Sequence, residues 1–148
     1  MDKIIQIFMG FLGSFGFAVL FNIRGKKLAA AAFGGLLSWS FYVILGLIVE
    51  SESLRYFFVS LSLSIYAEIM ARIIKTPTTT FILTSLIPLV PGGSLYYTMV
   101  DAFSGSVEKF CFSAINTLKL AVSLALGVVA VTAVVNLIHK INLLMKKN

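Results

Sequence analysis

Two groups of residues have the types and spacing to do chemistry. Ser60, Ser64, Glu68 and Arg72 recur at four-residue intervals, which puts them on one face of a helix. They lie in an otherwise apolar run. An ionisable side chain there is costly, faces other protein or water, and marks a proton or solute path by default. Glu68 and Arg72 also have the i, i+4 spacing of an ion pair, with Arg72 close enough to the helix end to reach an interface. The stripe therefore reads either as a neutralised structural pair or as a carboxyl that binds and releases a proton, gated by its arginine. The second group is Pro88, Pro91, Gly92, Gly93 and Ser94, inside a stretch (76–100) with no charged residue. Proline removes a backbone donor and clashes with the preceding turn, and glycine loses the most backbone entropy in a helix. Packed this closely, they should break a helix.

A break inside an apolar span frees backbone groups that cannot face lipid, so they must face protein, water or a ligand. Broken helices of this kind build solute sites in transporters. A helix resuming at Ser94 would present amides suited to a carboxylate. The carbonyls left unpaired by Pro88 and Pro91 would suit an ammonium or a proton carrier, and Tyr97 adds a hydroxyl. The alternative is a packing kink shared with a neighbouring helix. A third polar face, Asn116, Lys119, Ser123, Gly127 and Ala130, recurs every three or four residues. Lys119 would either attract an anionic solute or reach the outer interface.

The inventory excludes much else. One histidine (His139) and one cysteine (Cys111) leave no multi-residue metal set, no disulfide and no acid/base or nucleophile constellation. There is no glycine-rich phosphate loop with a lysine. No enzyme activity, cofactor or metal is expected, and ion gradients or the membrane potential are the available drives. The net charge of +6 does not indicate nucleic acid, because the basic residues sit between apolar segments, where they suit loops facing anionic lipid.

These residues need elements to position them. Of the 148 residues, 59% are hydrophobic and only 12% charged, with mean hydropathy +0.99. Several apolar runs are long enough to cross a bilayer. The reading is an all-α, polytopic membrane protein forming one integral membrane domain over 1–148. Five segments are expected, at about 4–23, 28–49, 56–74, 78–103 and 111–138. The fourth is broken near its midplane across 88–93, since the 11 residues of 78–88 rise only about 16 Å. Gly10, Gly13 and Gly16 should form a close packing face on the first segment, and Gly34, Gly35 and Ser38 on the second. Residues 104–110 read as a polar loop and 139–148 as a basic tail. The first segment reads as retained and not as a cleaved leader.

Charge sets the orientation. Arg24, Lys26, Lys27, Arg72, Lys75, Lys140, Lys146 and Lys147 fall on one side, against Lys3, Arg55 and Lys109 on the other. The excess puts the C-terminus in the cytoplasm and the N-terminus outside.

The stretch F-A-V-L-F-N-I-R-G-K-K-L (17–28), the pair Gly34-Gly35 and I-P-L-V-P-G-G-S-L-Y-Y-T-M (87–99) together resemble the threonine/serine exporter family. The likeness is to the short membrane subunit of its split, two-component form. The Pro-x-x-Pro-Gly core followed by tyrosine is the most specific part. The resemblance implies a larger membrane partner. It also implies export of small polar metabolites across the bacterial inner membrane, driven by the proton-motive force. Threonine and serine are the substrates it implies, with succinate-like dicarboxylates as the alternative. A scaffold subunit that stabilises its partner without a site of its own is the reading from another class. Partners are therefore the lipid bilayer, the larger subunit, a carboxylate-bearing solute and, given the little room in five helices, a further copy of the chain.

Overall fold

A computed structural model describes residues 2–103 and 105–145. Every regular element among them is helical: α1 (Asp2–Leu20), α2 (Lys26–Leu45), α3 (Glu52–Ile74), α4 (Thr78–Leu86), a single 3₁₀ turn (Ile87–Leu89), α5 (Gly92–Phe103) and α6 (Val107–Met145). Four helices (α1, α2, α3 and α6) are long and apolar enough to cross a membrane, and α4 with α5, bent by 55°, makes up to a fifth span. Large apolar side chains are exposed all around the bundle. Lipid is as apolar as leucine, so burying such groups does not drive helix association here. Close packing of small residues does.

That packing is specific. α2, α3 and α4 form the centre, α1 lies on α2 and α4, and α6 lies on α3. On α1 the face that meets α2 is Gly10, Ser14 and Ala18, at a four-residue spacing, all buried. The expected glycine triad does not form it. A Cβ on Gly10 would lie 3.0 Å from Trp39 Cβ, whereas Gly13 and Gly16 have open space beside them. A helical face repeats every 3.6 residues, so a strict three-residue repeat drifts off it. On α2, Gly34 lies against Ser85 of α4 and Gly35 against Ser14 of α1, leaving no room for a side chain at either position. Gly127 of α6 sits on the α3 backbone: an added Cβ would be 2.7 Å from Phe57 O and 2.9 Å from Leu61 N.

The ends of the bundle differ. At one end the α1–α2 turn and the α3–α4 turn lie side by side, with Asn22, Arg24, Lys27, Thr76, Pro77 and Thr80 lining a groove of about 440 Å³. The α1–α2 turn needs positive φ at Asn22 (57°) and Gly25 (65°), and α3 stops with Lys75 left-handed (φ 53°) ahead of Pro77. Gly127 beside Ser60, and Ile65 beside Val134, show α3 and α6 running parallel with an offset of about 70 residues. Lys140 is therefore level with Arg72, and the basic residues gather at one end, as their sequence positions require. Lys146 and Lys147 lie outside the described residues. The same register carries α6 well beyond the start of α3 at the other end. There α6 pairs with α5 through Thr98 and Thr117 hydroxyls 2.9 Å apart and through Ser113 donating to Asp101.

Some expected boundaries shift. α6 begins at Val107 and runs to Met145, so most of the expected loop (104–110) and basic tail is helix; Ser104 lies outside the described residues. At 39 residues α6 is about 58 Å long, roughly twice what spanning needs. α2 ends at Leu45, four residues early, at Gly46.

Candidate functional site

The break is built from two prolines that act differently. Ile87 N–H still donates to Leu83 O, so the helix continues to the threshold of Pro88. Pro88 has no N–H for the carbonyl one turn back, that of Thr84. Ser14 of α1, fully buried, donates its hydroxyl to that carbonyl at 2.7 Å. With this group satisfied, the chain passes through Pro88 as a 3₁₀ turn, and Val90 N–H bonds Ile87 O at 3.1 Å. Pro91 then forces Val90 out of the helical region, to φ −56° and ψ 125°. The 55° bend follows there. α5 starts one residue later, with Leu95 N–H bonded to Pro91 O at 3.0 Å.

Two observations bear on the expected site. First, each carbonyl freed by a proline already has a donor: Thr84 O accepts from Ser14 and Ile87 O from the Val90 amide. At the break, the carbonyls of Pro88 and Leu89 and the amides of Gly93 and Ser94 have no backbone partner among the described residues. Second, the break lies somewhat past halfway along the bundle, on the side away from the basic turns. α4 and the 3₁₀ turn rise about 20 Å, and Leu89 packs in one cluster with Tyr56, Val59, Leu63, Leu86 and Leu120. Gly92 and Gly93 begin α5 and are exposed, with nothing within 4 Å of an added Cβ.

The remaining expected residues are dispersed. Pro88 is half-buried and lines a groove of about 280 Å³ with Gln6, Met9, Gly10 and Trp39. Pro91 is buried and Ser94 half-buried, its carbonyl accepting from Thr98 at 2.8 Å. Tyr97 is 65% exposed, and no residue of α5 is buried. Glu68 and Arg72 form the expected pair at 3.9 Å, with Glu68 16% and Arg72 68% exposed. Above them Ser60 and Ser64 are buried and bonded to Phe57 O and Ser60 O of their own helix. Glu68 lies about 18 Å along α3 from Tyr56, so the ion pair and the break belong to opposite halves of the protein. Lys119 is exposed, next to the buried Leu120.

Sequence reasoning passed over two groups. Asp101 near the end of α5, joined to Ser113, helps line a groove of about 510 Å³ with Ser106, Glu108, Lys109 and Phe112. At the end where α2 turns into α3, Gln6, Trp39, Tyr42, Glu52, Arg55 and Tyr56 form a connected cluster. Trp39 Nε1 donates to Gln6 Oε1 at 3.4 Å, and Tyr42 donates to Glu52 Oε1 at 3.3 Å. The Trp39–Tyr42 and Tyr42–Tyr56 ring centroids are 5.3 and 5.4 Å apart, and Arg55 lies 5.5 Å from the Tyr42 ring. In the sequence, Glu52 and Arg55 fall in a short polar stretch between apolar runs, and Trp39 and Tyr42 lie within the run before it. Only the antiparallel pairing of α2 with α3 brings them together.

No curated protein and no solved structure shows a significant match. The family described as Threonine/Serine exporter, ThrE, matches residues 6–134, which include most of α1, all of α2 to α5 and most of α6. A multi-pass helical chain with a broken apolar helix is the architecture a transporter family calls for, and the chain belongs to the threonine/serine exporter family.

Proposed function

We propose that this chain is the small membrane subunit of a two-component secondary exporter, moving threonine/serine-like amino acids out of the cell with the proton-motive force. The observation that carries the reading is the opened backbone at the break, in a family of this description. The amides of Gly93 and Ser94 have no backbone acceptor and stand at the positive end of α5. A solute carboxylate satisfies both needs at once. In this reading the chain forms one membrane domain and crosses the bacterial inner membrane five times, α4 and α5 making the fourth crossing. The N-terminus lies outside and the basic end in the cytoplasm. Glu68 and Arg72 then lie toward the cytoplasm as the coupling pair, and the break lies toward the outside, on the release path.

A larger partner is part of the proposal, because α5 packs mainly on α6 and leaves Gly92, Gly93 and Tyr97 open. The same exposure favours a second reading, a scaffold whose α5 supports a site carried by the partner. Efflux from cells loaded with labelled threonine, serine or succinate separates the readings. The chain is tested alone, with its larger companion, and as Gly92→Leu with the companion. A Cβ at Gly92 meets nothing within 4 Å, and co-purification with the companion checks that the variant still folds. Amino-acid efflux by the intact pair, lost in Gly92→Leu while both proteins co-purify, supports handling at the break. Unchanged efflux in that variant moves the site to the partner. Efflux of succinate alone replaces the amino acid with a dicarboxylate.

A further inference from the structure

From the basic end of the bundle we infer a site for one anionic phospholipid, its phosphate held between the α1–α2 and α3–α4 turns and one acyl chain laid in the groove between α2 and α3. The inference is independent of the solute carried. Four cations gather there: Arg24, Lys26 and Lys27 around the start of α2, and Lys75 where α3 ends. Arg24 and Lys27 line the exposed groove of about 440 Å³ between the two turns, with Asn22, Thr76 and Thr80 adding polar groups. Arg24 Nε donates to Asn22 Oδ1 at 3.0 Å, the one hydrogen bond its side chain makes among the described residues. No carboxylate lines the groove. The ion pair formed at this end among the described residues is Glu68–Arg72, so Arg24, Lys26, Lys27 and Lys75 have no carboxylate partner there. Like charges held this close repel, and an anion relieves them while taking the arginine fork.

A second groove, of about 580 Å³, opens beside the first turn of α2. Lys26 stands at its mouth, and Ala29, Phe33, Tyr66, Met70 and Ile73 make it apolar beyond that point. From Ile74 to Tyr66 it follows α3 for about 12 Å into the apolar part of the bundle. Tyr66 fixes its floor: the hydroxyl donates to Ala30 O at 2.8 Å, and the ring centroid lies 6.3 Å from that of Phe33. Lys26 and Lys27 are neighbours, and Lys75 separates Ile74 of this groove from Thr76 of the other, so the charged and apolar grooves meet along one edge. A free phosphate would use the charged groove alone. A zwitterionic lipid would bring an ammonium that neither groove has a carboxylate to receive. A lipid with a net negative headgroup uses both: the cations select the headgroup, and the apolar groove places the chain.

The purified full chain in a non-ionic detergent is titrated with phosphatidylglycerol or with phosphatidylcholine of the same acyl chains, and bound lipids are counted by native mass spectrometry. The expected result is one phosphatidylglycerol held roughly tenfold more tightly than the first phosphatidylcholine. Each cation near the headgroup is worth about a fivefold change in affinity for an anionic lipid, so Arg24→Gln and Lys27→Gln should each weaken phosphatidylglycerol about fivefold. Neither should affect phosphatidylcholine. Lys109→Gln removes the same charge at the other end of the bundle and should change neither lipid. Ala29→Phe fills the apolar groove and should also weaken phosphatidylglycerol. Circular dichroism checks that each variant keeps its helices. Equal affinity for the two lipids, an equal loss in Lys109→Gln, or undiminished binding in the Arg24→Gln/Lys27→Gln double variant overturns the inference. Displacement of the bound lipid by an equal concentration of glycerol 3-phosphate, or an Ala29→Phe variant without effect, makes this a site for soluble phosphate and overturns the lipid assignment. Phosphatidylglycerol expelled when the larger companion binds gives the groove to the partner and overturns it as well.

Discussion

Replacing Ser14 by alanine tests the account of the break directly. The Ser14 hydroxyl fills the place of the amide that Pro88 lacks, bonding Thr84 O at 2.7 Å with Ser14 and Thr84 both fully buried. An unsatisfied buried acceptor costs about 1–3 kcal/mol in soluble proteins, while interhelical hydrogen bonds in membranes average about 0.6 kcal/mol. Because this carbonyl has no alternative donor in its own helix, Ser14→Ala should cost about 1–2 kcal/mol. In a Pro88→Ala background the restored amide bonds Thr84 O, and the same substitution should cost less than about 0.5 kcal/mol. The coupling is then about 1 kcal/mol, roughly a fivefold change in the unfolding constant. Reversible unfolding in mixed detergent micelles, followed by Trp39 fluorescence and far-ultraviolet dichroism, measures all four corners of the cycle. An equal cost of Ser14→Ala with and without Pro88 refutes the claim that Ser14 compensates for the proline.

Other perturbations follow from the packing. Gly10→Ala and Gly13→Ala should act in opposite directions despite their similar places in the sequence. The first crowds Trp39 and Gly35 O, whereas the second meets open space and gains about 0.5–1 kcal/mol of helix propensity, both read as unfolding midpoints. Gly127→Val should cost about 1–3 kcal/mol, because the obstacles are the α3 backbone atoms of Phe57 and Leu61, which cannot rotate away. Glu68→Gln should change stability by less than about 1 kcal/mol, since its partner Arg72 is 68% exposed at 3.9 Å. It should also uncouple efflux from an imposed pH gradient, and unchanged gradient dependence in reconstituted vesicles removes Glu68 from coupling.

Much of the fold was legible in local sequence, and most of the site was not. Long apolar runs dictate membrane helices, and the residues Pro88 and Pro91 announce the interruption, because span length and proline chemistry are properties of the chain itself. The four-residue spacing of Glu68 and Arg72 likewise produced their pair. The failures came wherever one helix completes another. Nothing near Pro88 in the sequence says that Ser14, 70 residues away, satisfies Thr84 O. The glycine triad on α1 looked like a packing face, but Gly10, Ser14 and Ala18 provide it, since a hydroxyl or methyl group serves where the neighbour offers a glycine. The first residues of α6 read as loop because Glu108 and Lys109 are charged, yet they continue a helix paired with α5. Arg55 could be placed beside Tyr42 only once α2 was laid against α3.

The two prolines show why a span can be opened at one point without coming apart. Two lost amides three residues apart would leave two orphan carbonyls in a lone helix. Here the first loss is repaired from α1 and the second is absorbed by the 3₁₀ turn. The bend is thereby confined to Val90–Pro91, and the open groups are limited to the Gly93 and Ser94 amides and the carbonyls next to them. Those amides favour an anion by the direction of α5. They stand in the other half of the protein from the Glu68–Arg72 pair. If Glu68 takes up the coupling proton, as proposed above, α3 links that half to the break, since Tyr56 near its start packs with Leu89. Ser60 and Ser64 between them bond only their own backbone, and Gly127 holds that stretch against α6. The Gly127→Val variant thus has a second use. If α3 transmits the coupling, displacing it from α6 should weaken the pH dependence of efflux even where the chain still co-purifies with its companion. Intact pH dependence with a displaced α3 would place the coupling outside this helix.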